Sequence, residues 1–351
     1  MPPKNKKTQA GFTLIEFVIS SALTMALLAA TFTLMNSLFT ANTGVIQVLN
    51  TQQNIRVALN AVTRDITMAG TGLPDSGIPV PNGTNSTKIA RPGLNVTCGA
   101  STVGCLPTTN NVLPILSPGD GVGVVVASAT TDALTIALVD QTSPTWTVLS
   151  IGTNATSVTF TQNVRDAGTY KLNTNDLLLF NNANGSAFGN VTSVATTTTG
   201  LANFADGVTD LLGINQSTAQ FGNMTQTLRN PASNPVTYPP TTATRVLLIT
   251  YYINNSNPQT PKLMRSVNAL TPQVMVENVE NLQFSFDLYD DVNNTESANV
   301  ATTSNPNQIR AVRVAINAHS TDLMPRSKEY FHFGMVSKVN VRNATFRNRY
   351  S

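Results

Sequence analysis

Hydrophobic positions are spread very unevenly along the 351 residues of the chain. Residues 1–11, MPPKNKKTQAG, are polar and basic. Residues 12–35, FTLIEFVISSALTMALLAATFTLM, are apolar, and from Phe17 to Met35 there is no charge, Pro or Gly. Such a run is close to the roughly 20 residues a helix needs to cross a bilayer. Lys4, Lys6 and Lys7 precede it, which predicts a cytoplasmic N-terminus and places the bulk of the chain on the other side. An ordinary secretory signal has the same charge order, but its apolar region is shorter and its small-residue cleavage site follows that region. Here the small residue, Gly11, comes before the apolar run instead.

The pattern changes after residue 36. Val45, Val48, Ile55, Leu59, Val62, Ile66 and Ala69 recur three and four apart, with Gln52 in the one polar place. That spacing predicts a single apolar stripe on a helix. No Pro occurs between Lys4 and Pro74, and Gly70, Gly72 and Pro74 form a stop signal. The expected element is one helix from Phe12 to Ala69, about 87 Å long at 1.5 Å per residue. Its first half is apolar all round and its second half is amphipathic, suited to packing on a globular domain. Gly44 lies between the halves, where it either permits a bend or is simply tolerated at about 1 kcal/mol relative to Ala. Arg64 and Asp65 read as a solvated pair.

Beyond Gly70 the period shortens. Residues 74–118 are rich in Pro, Gly, Asn and Ser and read as a long irregular connection. Short β-branched runs follow at Val122–Val126, Leu134–Val139, Thr147–Ile151, Val158–Phe160, Leu177–Phe180 and Val191–Val194, each bounded by turn residues. The polar stretch from Thr196 to Tyr238 reads as loop or short helix. Stronger strands are expected at Arg245–Ile253, Lys262–Val267, Val274–Leu288, Ile309–Ala318 and Met335–Arg342. Gln283–Leu288 and Arg310–Ala315 alternate polar and apolar, so one face should be buried. No internal repeat is evident.

Composition narrows the class. Hydrophobic residues make up 41% and charged residues only 11%, well under the roughly 25% usual in soluble proteins. Thr, Asn and Ser fill the difference. The formal charge of +3 disappears with the leader, because residues 12–351 hold 18 basic and 18 acidic side chains. A neutral chain lacks the phosphate attraction that supplies most non-specific nucleic-acid affinity, so no nucleic-acid partner is expected. Arg342, Arg347 and Arg349 form the only other basic cluster. Cys98 and Cys105, in CGASTVGC, suit a short disulfide loop in an oxidising compartment, the other reading being two free buried thiols.

Glu16 interrupts the apolar run near its start. An ionised carboxylate at bilayer depth costs about 2.5–3.5 kcal/mol on insertion scales and usually marks function, unless it snorkels at the interface. Taken together, Gly11-Phe12-Thr13-Leu14-Ile15-Glu16, the basic leader and the apolar run resemble the type IV prepilin cleavage motif. In that family a membrane aspartyl peptidase cuts after the glycine and methylates the new amine, which the resemblance places on Phe12. The glutamate it implies is Glu16. Such a carboxylate can neutralise the new amine of a neighbouring subunit, since two buried charges are less costly paired than apart.

The string ALNAVTRDITMAG resembles the end of the long helix in PilW-type minor pilins and J-type pseudopilins. Further on, Asp132–Ile136, Asp176–Phe180 with Ala187-Phe188 and Val191-Thr192, Tyr251–Ile253, Leu263–Arg265, Val276–Phe284, Ile309–Ile316 and Val341–Asn343 resemble the PilW-type order. The segment around Cys98 and the stretch Thr196–Tyr238 look like insertions, and Phe17-Val18 replaces the commoner aliphatic pair after the glutamate.

A search for chemistry gives little. There is no phosphate loop, no HExxH and no GxSxG elbow. His319 and His332 are the only histidines, and no nucleophile motif accompanies them. Asp287, Asp290, Asp291, Asn293 and Asn294 form an oxygen-rich cluster, but the spacing does not match an EF-hand and a turn fits better than calcium. Trp146, Tyr251 and Tyr252 read as core or sheet-face residues. No enzyme activity, cofactor, metal or small-molecule substrate is expected.

The expected architecture is α+β, a pilin fold with a long N-terminal helix on an antiparallel β-rich head. Residues 1–11 form a cytoplasmic leader, 12–36 the transmembrane and assembly helix, 37–70 its amphipathic continuation, and 71–351 the periplasmic or extracellular head. The resemblance implies a minor pilin that takes part in starting pilus assembly at or near the tip. Its implied partners are prepilin peptidase, other minor pilins, the major pilin and the inner-membrane assembly platform. The alternatives are a J-type pseudopilin of a type II secretion system and an adhesin or exoenzyme on a plain membrane anchor.

Overall fold

The computed structural model describes residues 11–74, 78–80, 89–94, 105–106, 112–166, 168–207, 209–215, 223–231 and 235–344. One helix, α1, spans Leu14–Met68 without a break. Its 55 residues correspond to about 82 Å. The ends lie within two residues of those expected from the Pro-free run and the Gly-rich stop. Everything after it is β-rich and antiparallel, apart from a one-turn helix at Met224–Leu228 and a short 3₁₀ turn at Pro306–Gln308. This is the α+β arrangement expected of a pilin fold.

The chain divides into two compact units. The first comprises the helix up to Thr51 together with the loop Ser320–Phe331. Gly44 does not bend this helix. It is buried, and a Cβ built there would sit 3.4 Å from Met324 Cε, so the missing side chain makes room for the loop. The loop is closed by its own backbone bonds, Ser320 N to Phe331 O and Met324 N to Glu329 O, both 2.8 Å.

The second unit runs over Gln52–His319 and resumes at His332. Its strands include β1 (Leu116–Gly119), β2 (Ala133–Val139), β3 (Leu177–Asn182), β4 (Thr241–Asn254), β5 (Lys262–Val267), β6 (Gln273–Glu277), β7 (Val279–Asp290), β8 (Thr295–Val300), β9 (Ile309–His319) and β10 (His332–Asn340). Strand β4 organises the larger sheet. Its first half pairs with β3 and with Trp146–Val148, and its second half with β2 and β5. Two hydrophobic clusters result. One gathers Trp146, Phe160, Phe180 and Phe204 at the first half. The other joins Tyr251, Ile253, Ile136 and the C-terminal sheet to Ile55, Leu59, Val62 and Ile66 of α1. The C-terminal sheet has the order β8-β7-β9-β10.

Several expectations shift. Residues 116–119, read as part of an irregular connection, form β1, whose only partner is β2. An edge position tolerates Pro118, which cannot donate to a ladder. Of Val122–Val126, only Val125–Val126 is strand. The single strand expected over Val274–Leu288 is two, β6 and β7, because Asn278 takes φ 63° between them. Thr196–Tyr238 holds a short strand, Leu201–Asn203, as well as the Met224–Leu228 turn.

Candidate functional site

Two groups of residues give the helix its function: those at its start and those where its end joins the sheets. At the start, Gly11 and Phe12 are exposed and precede the first helical turn. A Cβ on Gly11 would meet nothing within 4 Å, so this bond is open to an enzyme. Thr13 is the N-cap. The Thr13 N–H and hydroxyl donate to Glu16 Oε2 at 3.0 and 2.8 Å, and the Glu16 N–H faces Thr13 Oγ1 at 3.4 Å. This is a capping box, a Thr followed three residues later by Glu, each satisfying the other's end of the helix. Glu16 therefore holds the first turn within its own chain, through one carboxylate oxygen. That role went unread although Thr-Leu-Ile-Glu carries its signature.

From Phe12 to Leu49 the apolar side chains stay uncovered. Phe12 is 86% exposed, Leu23 61%, Phe32 69% and Leu49 57%. This is the one stretch among the described residues long and apolar enough to cross a membrane, and its most hydrophobic window is not buried at all. Of the expected stripe, Val45 is exposed and Val48 half-buried. Burial begins in earnest at Ile55.

At the other end the helix is pinned. Ile55, Ala58, Val62, Ile66 and Ala69 are completely buried. Asp65 does not pair with Arg64, which points to solvent. Instead it accepts the Tyr251 hydroxyl at 2.8 Å and the Arg265 Nε–H at 2.9 Å. Burial, then the Asp65 carboxylate, pushes the Tyr251 phenol well above its ordinary range. For Arg265, burial works downward, but the Asp65 charge outweighs it and the net shift is upward. Both shifts fix the neutral phenol and the charged guanidinium around one carboxylate. The helix then ends at Gly70, with φ 76°, whose N–H donates to Ala137 O at 2.8 Å. Asn343 Nδ2 donates to Ala69 O and Thr71 Oγ1 at 2.9 and 2.7 Å, covering the last turn.

The remaining candidates have structural partners. Trp146 is buried and its Nε1–H donates to Tyr170 O at 2.8 Å. His319 and His332 face each other across β9 and β10, and His332 Nδ1 lies 2.8 Å from Glu280 Oε2. Asp287 pairs with Lys338 at 2.5 Å and Arg313 at 3.5 Å, while Asp290 accepts from Val292 N in the following turn. Cys105 bridges Ala90 in an isolated backbone pair; Cys98 lies outside the described residues, as do Arg347 and Arg349.

Residues 6–32 match the prokaryotic N-terminal methylation motif, and residues 250–350 match the family described as type IV pilus-assembly protein W. This chain is a type IV pilin-like protein. No curated protein and no solved structure matches it. The first match covers the capped start of the helix and its exposed apolar run. The second covers Tyr251, Arg265 and Asn343, the head's side of the joint with the helix. This pilin-like chain is a structural subunit of pilus assembly that carries a single N-terminal apolar helix for membrane association.

Proposed function

We propose that this pilin-like chain is a PilW-type minor pilin that takes part in initiating pilus assembly and sits at or near the pilus tip. The observation that carries the reading is the uncovered apolar helix from Phe12 to Leu49, which nothing in its own chain packs away and which therefore calls for lipid first and other helices later. In this reading residues 1–11 are the cytoplasmic leader and 12–36 the membrane and assembly helix. Residues 37–70 continue that helix, and 71–351 form the outer head. Prepilin peptidase cuts between Gly11 and Phe12 and methylates the Phe12 amine. Thr13 occupies only one oxygen of Glu16, so the other is free to meet that amine on a neighbouring subunit. Other minor pilins, the major pilin and the assembly platform are the partners. Cys98 and Cys105 close a disulfide loop in the oxidising compartment.

Deleting the gene should remove surface pili, and restoring the wild-type chain should bring them back. A Glu16→Leu chain should insert into the membrane yet fail to restore them. Wild-type pilus numbers with Glu16→Leu would overturn the pairing, and wild-type numbers in the deletion strain would overturn the initiating role.

A further inference from the structure

Strand β4 carries its side chains alternately to two faces. Tyr251 and Ile253 face the helix, while Thr250 and Tyr252 face the opposite side. On that opposite side the segment Ala90–Leu94 crosses the sheet. Arg91 lies in it with only 2% of its surface exposed. Its guanidinium donates to Ser117 O, Pro118 O and Thr135 Oγ1, at 2.8, 2.7 and 3.0 Å. All three acceptors are neutral. Among the described residues no carboxylate pairs with it, and the buried Nε–H has no acceptor. Burial alone lowers the Arg91 pKa to about 10, so at neutral pH the cation persists without a counter-charge.

Uncompensated buried charge costs several kcal/mol, by order of magnitude, in the absence of a partner. The surroundings are shaped around it nonetheless. A Cβ on Gly119 would come within 3.1 Å of Arg91 Cζ and 2.7 Å of Ala133 O, so Gly119 leaves the space the guanidinium fills. Gly93, at φ 77°, lets the backbone cross the Tyr252 ring where a Cβ would approach Cε1 to 2.6 Å. Next to this crossing lies a cavity of about 740 Å³. Arg91, Leu94, Tyr252, Met264, Leu270 and Pro272 are among its walls. Its size falls within the roughly 300–1,000 Å³ usual for small-ligand sites. The Tyr252 hydroxyl makes no hydrogen bond among the described residues, and the Ser266 hydroxyl beneath Gly93 is buried without a partner.

We propose that this cavity binds a carboxylate carried on a short apolar body, either a small organic acid or the free C-terminus of a peptide. Arg91 supplies the charge, Tyr252 the hydrogen-bond donor, and Leu94, Met264, Leu270 and Pro272 the apolar walls. The inference does not depend on the filament reading, since it rests on the head alone.

Calorimetric titration of the full chain in nanodiscs, with empty nanodiscs as the blank, tests it. Hexanoate should give saturable heat at pH 7, and hexanamide should bind at least about tenfold more weakly because it lacks the charge. A hexapeptide ending in Leu-COO⁻, set against its amide, separates the two sources. Tighter binding than hexanoate assigns a chain end, and weaker binding assigns a small acid. Leu270→Trp, at the partly exposed rim, should abolish binding and leave the unliganded melting temperature within about 2 °C. Tyr252→Phe should weaken binding about threefold to tenfold. Absence of saturable heat with both carboxylates, equal binding of hexanoate and hexanamide, or binding untouched by Leu270→Trp would overturn the proposal.

Discussion

The two halves of α1 have one backbone and opposite surroundings. From Leu14 to Leu49 the apolar residues face outward, with Leu14 at 84% and Met25 at 72% exposure. From Ile55 to Ile66 the apolar stripe is sealed, with Ile55, Val62 and Ile66 at zero. Local propensity does not separate them, since both are Pro-free and both rely on side chains that suit a helix. What separates them is where the covering atoms come from. The second half is covered by strands of its own chain. The first half has no such cover, so its stability as a helix rests on Thr13 and Glu16 at its start and on an apolar environment supplied from outside. A helix whose hydrophobic surface is divided in this way is a device for joining a folded head to a membrane or to other helices.

Matched truncations break or sharpen that comparison most strongly. Ile66→Ala should cost the head about 3–4 kcal/mol, as expected for emptying a fully buried site. Leu23→Ala, an equally large deletion in the exposed half, should leave the head's melting curve within about 0.5 kcal/mol. Circular dichroism melts of the two variants decide it, and comparable losses would erase the distinction. Next in size is Asp65→Asn. It removes the charge shared by Tyr251 and Arg265, and should lower head stability by about 2–3 kcal/mol in the same melts. Thr13→Val should cost about 1 kcal/mol, confined to the first turn. Hydrogen exchange should speed up at residues 14–17 and stay unchanged beyond Gly44. Smallest is Gly44→Ala. The new methyl stands at ordinary contact distance from Met324, so helix propensity should raise the helix's stability by up to about 1 kcal/mol.

The sequence disclosed those features whose causes are local. The apolar run, the Gly-Phe junction and the Gly70–Pro74 stop set the helix within two residues at each end. The capping box was equally local and legible in Thr13 and Glu16, yet the carboxylate's assembly role drew the reading away from it. What stayed hidden depends on distant partners. Asp65 meets Tyr251 and Arg265 across separations of 186 and 200 residues, so its sequence neighbour Arg64 was the wrong partner to expect. Strand β4 pairs with different strands along its two halves, which no period in its own residues reveals. Asn278 breaks β6 from β7 by a left-handed conformation that Asn tolerates but does not announce. Arg91 reads as an unremarkable arginine before Pro92 until the fold buries it without a carboxylate.

The account stands on the anchor being a processed one, released from its leader and left with a charged amine beside Glu16. Intact mass and N-terminal fragmentation of the protein purified from native membranes address this directly. The expected result is a chain that starts at Phe12 and carries one methyl group on its amine. A chain that retains Lys4, Lys6 and Lys7 would contradict it and leave a head on a plain membrane tether.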